Sequence, residues 1–293
     1  MSFADEVCEE LCDLPIKKPC CRHALTAGLL IGAEERPKKK VAVRYRRETV
    51  ATLASAMIHA QYAKAPESQM TGACGHRFYD LEFTSPSASK LLWQMAQSAD
   101  TTPLHLQCEG CAAAFLRGTF LSVGTLNDPN KSFHLEFLLP DGRCEALMTA
   151  FLSELGYPPR RIARAKGIGL YYKNSGSVED LIAKTGSQSK IFVIINNRIE
   201  REIRNNENRA TNCVAKNIEK SIAAAARQME AIGRLIELGK FESLPEGLRT
   251  SAMVRYRNPD ATLDELVALH DPPISKSGLN HRLAKLIDEA DEL

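Results

Sequence analysis

A stretch near the C-terminal end, residues 275–286, combines polar and basic side chains with a complete lack of acidic ones. Asn280 and Arg282 each carry paired hydrogen-bonding groups of the kind that contact adenine or guanine edges in a major groove. Hydroxyl and ammonium groups at the beginning of a helix suit phosphates, and a glycine lets a nucleic-acid backbone approach closely. The candidate DNA contacts are therefore Ser275, Lys276, Ser277, Gly278, Asn280, His281, Arg282 and Lys285.

Three short helices are predicted to position these residues. Thr262 and Glu265 have the spacing of a capping box, and Ser275 is placed to cap a last helix with a leucine stripe at Leu279, Leu283 and Leu286. A tight turn between the second and third helices gives a helix-turn-helix, in which the last helix enters the major groove. The same pattern fits a solvated helical hairpin, because such helices also serve protein contacts.

Basic residues are concentrated in two further segments that read as strands, residues 36–47 and 157–178, and neither segment contains an acid. Clusters of basic residues without acids are typical of a phosphate-binding surface. Such runs of charged residues are also common on any solvent-exposed face. Both interpretations stay open. The candidate accessory DNA contacts are Lys38, Lys40, Arg44, Arg46, Arg160, Arg161 and Arg164.

The nine cysteines are an odd number, and most lie in segments predicted to be helical. This distribution favours free thiols buried in a reducing compartment over a disulfide framework. Cys108 and Cys111, together with Cys20 and Cys21, have ligand types that suit zinc. Because no second Cys-x-x-Cys or histidine pair accompanies them, we interpret these thiols as core residues and expect no metal and no cofactor.

An internal repeat relates residues 20–33 to residues 110–123 at an offset of 90. Small residues coincide on one helical face of each segment, around Gly28 and Gly118. Glycine inside a helix costs about 0.5–1 kcal/mol relative to alanine, so its recurrence predicts two helix backbones in close contact. Alternating strand patterns and another helix follow in each half. The predicted architecture is α+β with pseudo-twofold symmetry.

The two glycine-containing segments resemble the paired helices of LAGLIDADG homing endonucleases. In that family an acidic residue ends each helix, and the two acids hold the metal that assists phosphodiester hydrolysis. The matching positions here are Ala33 and Val123, which cannot ligate a metal. Glu34 and Glu35 follow the first helix without a symmetric partner after the second. The resemblance therefore implies the nuclease fold, and the missing acids predict a protein that is not an enzyme and has no catalytic residues.

The segment Asp271–Leu283 resembles the signature of the WhiA family of bacterial regulators. Further matches along the chain are Cys20–Arg22, Phe115–Gly118, Arg204–Cys213 and Ala226–Gln228. The resemblance implies a degenerate LAGLIDADG domain fused to an all-α helix-turn-helix domain, linked to cell division, chromosome segregation and sporulation gene control. It also implies double-stranded DNA as the partner, and leaves a second transcription regulator open. This chain departs from the family at Leu25–Gly32, which is unusually small and apolar, and at Cys108–Cys111, where adjacent cysteines are common.

These observations predict a nuclease-like domain at residues 1–195, with halves at about 1–100 and 105–195, a helical linker at 196–242 and a helix-turn-helix domain at 243–293. A cell-division scaffold with weak or no specific DNA binding is the alternative, and a residual DNA endonuclease is the third. The sequence shows neither a signal peptide nor an apolar run of membrane-spanning length. We expect a cytoplasmic, nucleoid-associated protein with no membrane partner and no small-molecule substrate.

Overall fold

The structure of the chain is a computed structural model, which describes residues 2–73, 76–140 and 142–292. Cys74, one of the nine cysteines, lies outside the described residues. The chain forms two compact units, residues 1–201 and residues 202–293. Among the described residues, no helix is both long enough and apolar enough to cross a membrane.

The described residues of the first half of the first unit form four α-helices and a sheet. Its elements are α1 (Phe3–Asp13), α2 (Pro19–Leu29), β1 (Glu34–Arg36), β2 (Lys40–Tyr45), α3 (Glu48–Tyr62), β3 (Glu67–Ala73), β4 (His76–Thr84) and α4 (Pro86–Gln97). The strands form an antiparallel sheet in the order β1-β2-β4-β3. Alternate residues of β2 point into the core, as Val41, Val43 and Tyr45 are buried.

The second half repeats this arrangement. Its elements are α5 (Glu109–Val123), β5 (Gly124–Leu126), β6 (Leu135–Pro140), α6 (Glu145–Glu154), β7 (Arg160–Arg164), β8 (Gly167–Tyr172) and α7 (Ser175–Thr185). Its sheet order, β5-β6-β8-β7, matches the first sheet strand for strand. The α+β class and the internal repeat predicted from the sequence are thus confirmed, whereas α1, β1, β3 and β5 had no sequence prediction.

Close contact between α2 and α5 joins the two halves. A Cβ atom added to Gly28 would lie 2.7 Å from the amide nitrogen of Thr119, and one added to Gly118 would lie 2.9 Å from that of Leu29. Real Cβ atoms do not approach backbone so closely, so only glycine fits at either crossing position. The predicted close approach of the two glycine helices is confirmed.

The second unit is helical. The long helix α8 (Ser189–Glu237) begins in the first unit and continues into the second, which also contains α9 (Glu246–Arg257), α10 (Leu263–Ala268) and α11 (Lys276–Asp291). Side chains from α8, α9, α10 and α11 form its core. The fully buried members are Ile232, Ala252, Leu266, Leu279, Leu283 and Leu286.

The predicted caps and leucine stripe of this unit are present, but the predicted tight turn between its last two helices is wrong. Thr262 and Glu265 form the capping box of α10, and the Ser275 hydroxyl accepts a hydrogen bond from the Gly278 amide at the start of α11. The connection occupies residues 269–275 and contains Pro272 and Pro273, whose rings exclude helical continuation. His270, within this connection, is buried.

Candidate nucleic-acid interface

Helix α11 has one face in the core and one face in solvent. Its leucines are buried, and the opposite face exposes Ser277, Asn280, His281 and Lys285. Within the described part of the chain, Asn280, His281 and Lys285 have no hydrogen-bonding or ionic partner. These three side chains are therefore available to an external partner without losing an internal contact.

Residues at the beginning of α11 are held by local contacts. The Ser275 hydroxyl lies 3.1 Å from both the Gly278 amide, which donates to it, and the Ser277 hydroxyl. A Cβ on residue 278 would lie 3.1 Å from the Ser275 hydroxyl, so glycine also relieves crowding at the cap. The exposed Lys276 ammonium lies 2.7 Å from a carboxylate oxygen of Asp264 on α10. A phosphate at this point would compete with Asp264 for Lys276.

Arg282 differs from the other predicted contacts because its side chain is directed toward α9. Its Nη1 atom lies 3.2 Å from the Gly247 carbonyl oxygen, to which it donates, and 3.5 Å from the Ser251 hydroxyl. The side chain is half-buried. The structure therefore does not bring Arg282 onto the exposed face with Asn280 and Lys285, although the sequence prediction grouped them.

A buried polar network that the sequence prediction omitted connects α9 with its neighbours. His270 contacts the Leu266 carbonyl through Nδ1 at 2.8 Å and the Ser251 hydroxyl through Nε2 at 3.1 Å. The buried Arg255 donates to the Ala261 carbonyl at 2.7 Å and so holds the loop between α9 and α10, and burial lowers its pKa. The sequence signal for this network was limited to polar residues, Ser251 and Arg255, within the amphipathic pattern of α9.

In the first half, two of the four predicted basic contacts, Lys40 and Arg44, are paired with acids on the neighbouring strand β4. Arg44 on β2 donates two hydrogen bonds to the Asp80 carboxylate on β4, at 2.6 and 2.9 Å. Lys40 and Arg36 both form ion pairs with Glu82 on the same strand. The hydrogen bonds from Arg44 are the largest cause of a lowered pKa at Asp80. The paired acids neutralise much of the charge that the run of basic residues suggested.

In the second half, Arg161 and Arg164 are also paired with acids. Arg164 on β7 donates to the Glu136 carboxylate on β6 at 2.8 and 2.7 Å, and these hydrogen bonds are the largest cause of a lowered pKa at Glu136. Gly169 on β8 leaves the space that this carboxylate occupies. Arg161 pairs with Glu145 at the start of α6. Of the predicted accessory contacts, the exposed residues without a partner in the described part of the chain are Lys38, Arg46 and Arg160.

One cleft at the end of the glycine helices where a nuclease would hold its metal is lined by basic residues. This cleft of about 320 Å³ has Gly32 and Val123 in its wall together with Arg44, Arg46, Arg47 and Lys166. None of the described residues that line it is acidic. The carboxylate of Glu35 instead accepts hydrogen bonds from Ser89 and Lys39. The described part of the cleft thus has groups that could contact a phosphate but no carboxylate pair for a divalent cation.

At the opposite end of the same helix pair the structure brings together Cys20, Cys21, Cys108 and Cys111. Their sulfur atoms all lie within 4.8 Å of one another. Hydrogen bonds from the neighbouring thiols, with Cys21 the largest contribution, lower the pKa of Cys108 to about 7. The sequence analysis considered these four cysteines together but interpreted them as core thiols, and the structure places their sulfur atoms in one cluster.

Comparison with known proteins supports the two-part architecture. A family profile described as "WhiA LAGLIDADG-like domain" matches residues 112–204, and one described as "WhiA C-terminal HTH domain" matches residues 208–290. A Syntrophomonas wolfei protein named "Probable cell division protein WhiA" is 32% identical over 100% of this chain and 99% of its own length.

Two solved structures share the fold. Full-length DUF199/WhiA from Thermatoga maritima matches 100% of this chain and 99% of its own with a TM-score of 0.59 and 22% identity. The N-terminal LAGLIDADG domain of DUF199/WhiA matches 65% of this chain and 95% of its own with a TM-score of 0.51 and 18% identity. The resemblance noted in the sequence is thereby confirmed, and the chain belongs to the WhiA family.

Proposed function

We propose that this chain is a non-catalytic, DNA-binding regulator of cell division that reads double-stranded DNA through the exposed face of α11. The observation that carries the proposal is the set of Asn280, His281 and Lys285, which share one solvent-facing side of a capped helix and have no internal partner in the described part of the chain. Amide and basic side chains on such a helix suit base edges and phosphates. The name of the Syntrophomonas relative supports the connection with cell division.

Accessory contacts belong to the proposal in a narrower form than the sequence suggested. Three of the predicted residues have no carboxylate partner in the described part of the chain and can bind a phosphate directly: Lys38, Arg46 and Arg160. The other four would first have to break an ion pair with a carboxylate: Lys40, Arg44, Arg161 and Arg164. Ion pairs of this kind weaken the attraction of a surface for DNA. We therefore assign the main affinity to α11. We further propose that the protein acts in chromosome segregation and sporulation gene control. We also propose that it works with a second transcription regulator and is associated with the nucleoid.

The test begins with genome-wide mapping of DNA bound by the full chain in cells. A duplex from the strongest site is then titrated at two salt concentrations with the wild type, an Asn280→Ala variant and a Lys240→Ala control. Lys240 is also exposed but lies before α9. Removal of a base-contacting amide should weaken binding by about 1–3 kcal/mol, and the control should bind as the wild type does. Unchanged affinity in Asn280→Ala would exclude α11 as the reader.

A cell-division scaffold with weak DNA binding is the second candidate, and an exposed apolar stripe on α8 favours it. Ile203, Val214, Ile218 and Ile222 are between 54% and 65% exposed at helical spacing. A patch of this kind is typical of a surface that contacts another protein. The same titration separates the two proposals, because a scaffold would show micromolar or weaker, sequence-independent binding that salt abolishes.

Residual endonuclease activity is the third candidate. The absence of acids at Ala33 and Val123 argues against it. The assay is incubation of the duplex with the full chain and magnesium or manganese, followed by electrophoresis, and the expected result is intact DNA. Cleavage that a Glu34→Gln substitution abolishes would establish an enzyme instead.

A further inference from the structure

Four thiols from two separate parts of the sequence meet at one end of the glycine helix pair. Cys20 and Cys21 lie in the first turn of α2, Cys108 is the N-cap of α5, and Cys111 lies in its first turn. The Cys108 sulfur lies 3.6 Å from that of Cys20, 3.5 Å from that of Cys21 and 3.6 Å from that of Cys111.

The sulfur geometry fits a tetrahedral metal centre better than it fits disulfides. Zinc–sulfur bonds of about 2.3 Å in a tetrahedron place the sulfurs about 3.8 Å apart. The Cys108 distances are close to this value, and all four sulfurs lie within 4.8 Å of one another. A disulfide would require an S–S distance of about 2.0 Å. All four residues are free cysteines in the structure.

Two helix N-termini meet at the cluster. They belong to α2 and α5, and their free amides and helix dipoles stabilise thiolates. The buried Arg117 interacts electrostatically with Cys21, and its Nε has no hydrogen-bond partner among the described residues. A Cβ on residue 110 would lie 3.2 Å from the Cys21 sulfur, so Gly110 leaves room for this sulfur.

We propose that Cys20, Cys21, Cys108 and Cys111 bind one zinc ion as a structural tetrathiolate centre. Each thiol loses its proton when zinc binds, so the ion exchanges for four protons with no change of oxidation state. The centre fastens the start of α2 to the start of α5 and so links the two halves of the first unit. Cys111 and Val123 are separated by about 18 Å of helix, which makes this site distinct from the position of a nuclease metal.

The first test is elemental analysis of the full chain, purified with a reducing agent and without added metal. The wild type and a Cys213→Ser control should each contain about one zinc per chain. Cys213 is exposed and lies outside the cluster, which makes it a matched control for the loss of a thiol. The Cys20→Ser and Cys108→Ser variants should contain markedly less zinc. Zinc-free wild-type protein, or full occupancy in both cluster variants, would overturn the proposal.

A second test does not depend on the folding of the variants. Wild-type protein, with and without prior treatment with a strong chelator, is alkylated and mapped by mass spectrometry. Cys20, Cys21 and Cys108 should be protected only while metal is bound, whereas Cys213 should react in both samples. Cobalt(II) added to the stripped protein should give the visible absorption of tetrahedral thiolate coordination. The zinc assignment would be contradicted by any of three results: the same alkylation with and without the chelator, a cobalt spectrum typical of octahedral coordination, or an iron chromophore in the purified protein.

Discussion

The exposed face of α11 and the sheet surface of the first unit are both rich in basic residues, but their charges are available to different degrees. Lys285 on α11 has no internal partner in the described part of the chain, whereas Arg44 and Arg164 each make paired hydrogen bonds to a carboxylate on another strand of the same sheet. A count of basic residues along the sequence treats the two regions alike. The structure thus separates basic side chains that are paired with carboxylates from basic side chains that stay unpaired, and unpaired ones attract phosphate more strongly.

The largest effect is expected on the stability of the second unit, from a substitution at Arg282 on the side of α11 that faces α9. Arg282→Ala should lower the free energy of unfolding of the second unit by about 1–2 kcal/mol, because the Gly247 carbonyl and the Ser251 hydroxyl lose a charged donor. Urea denaturation followed by circular dichroism measures this change. Lys285→Ala is the control on the exposed side and should leave stability within about 0.5 kcal/mol of the wild type. If Arg282→Ala and Lys285→Ala were equally stable, the proposed difference between the side of α11 that packs on α9 and its exposed side would be wrong.

A smaller effect is expected in the salt dependence of DNA binding. Lys285→Ala should reduce the slope of log affinity against log salt by about one unit, because one phosphate contact is lost. Arg44→Ala should change the slope less, since Asp80 already neutralises this guanidinium. The measurement is a titration of one duplex at four or more salt concentrations. The variants compared should first be shown to be about as stable as the wild type. A larger change in Arg44→Ala than in Lys285→Ala would reverse the comparison between the two surfaces.

The smallest effect concerns acid stability at the sheet surface. Hydrogen bonds from Arg164 hold the pKa of Glu136 below its ordinary value of 4.5. A carboxyl whose pKa is lowered by folding contributes stability above its unfolded pKa, and this contribution is lost as pH falls through the folded value. Stability should therefore decline below about pH 4.5 more steeply in the wild type than in Glu136→Gln. Thermal unfolding between pH 6 and 3 checks this, and parallel curves for the two proteins would contradict the stabilising role of the pair.

Much of the local structure follows from short stretches of sequence. The Thr262–Glu265 capping box, the Ser275 cap and the leucine stripe of α11 each depend on residues within a few positions of one another, and the structure contains all three. Gly28 and Gly118 likewise indicated a close helix pair, because only glycine permits such an approach. The connection before α11 is longer than the predicted tight turn, since proline ends a helix without fixing the path that follows.

Contacts between distant residues were decided by tertiary structure. The pairing of Arg44 with Asp80 depends on the register of β2 against β4, which places these residues directly opposite each other. Cys20 and Cys108 are separated by 88 residues, and the packing of α2 on α5 brings their sulfurs together. Arg282 lies in the predicted basic helix, yet the position of α9 turns its guanidinium away from the exposed face. The sequence alone thus determined most of the helices, the repeat and the family, because these depend on local patterns and matched motifs. Only the fold decided which charges stay free and which thiols meet, because those depend on distances between elements far apart in the chain.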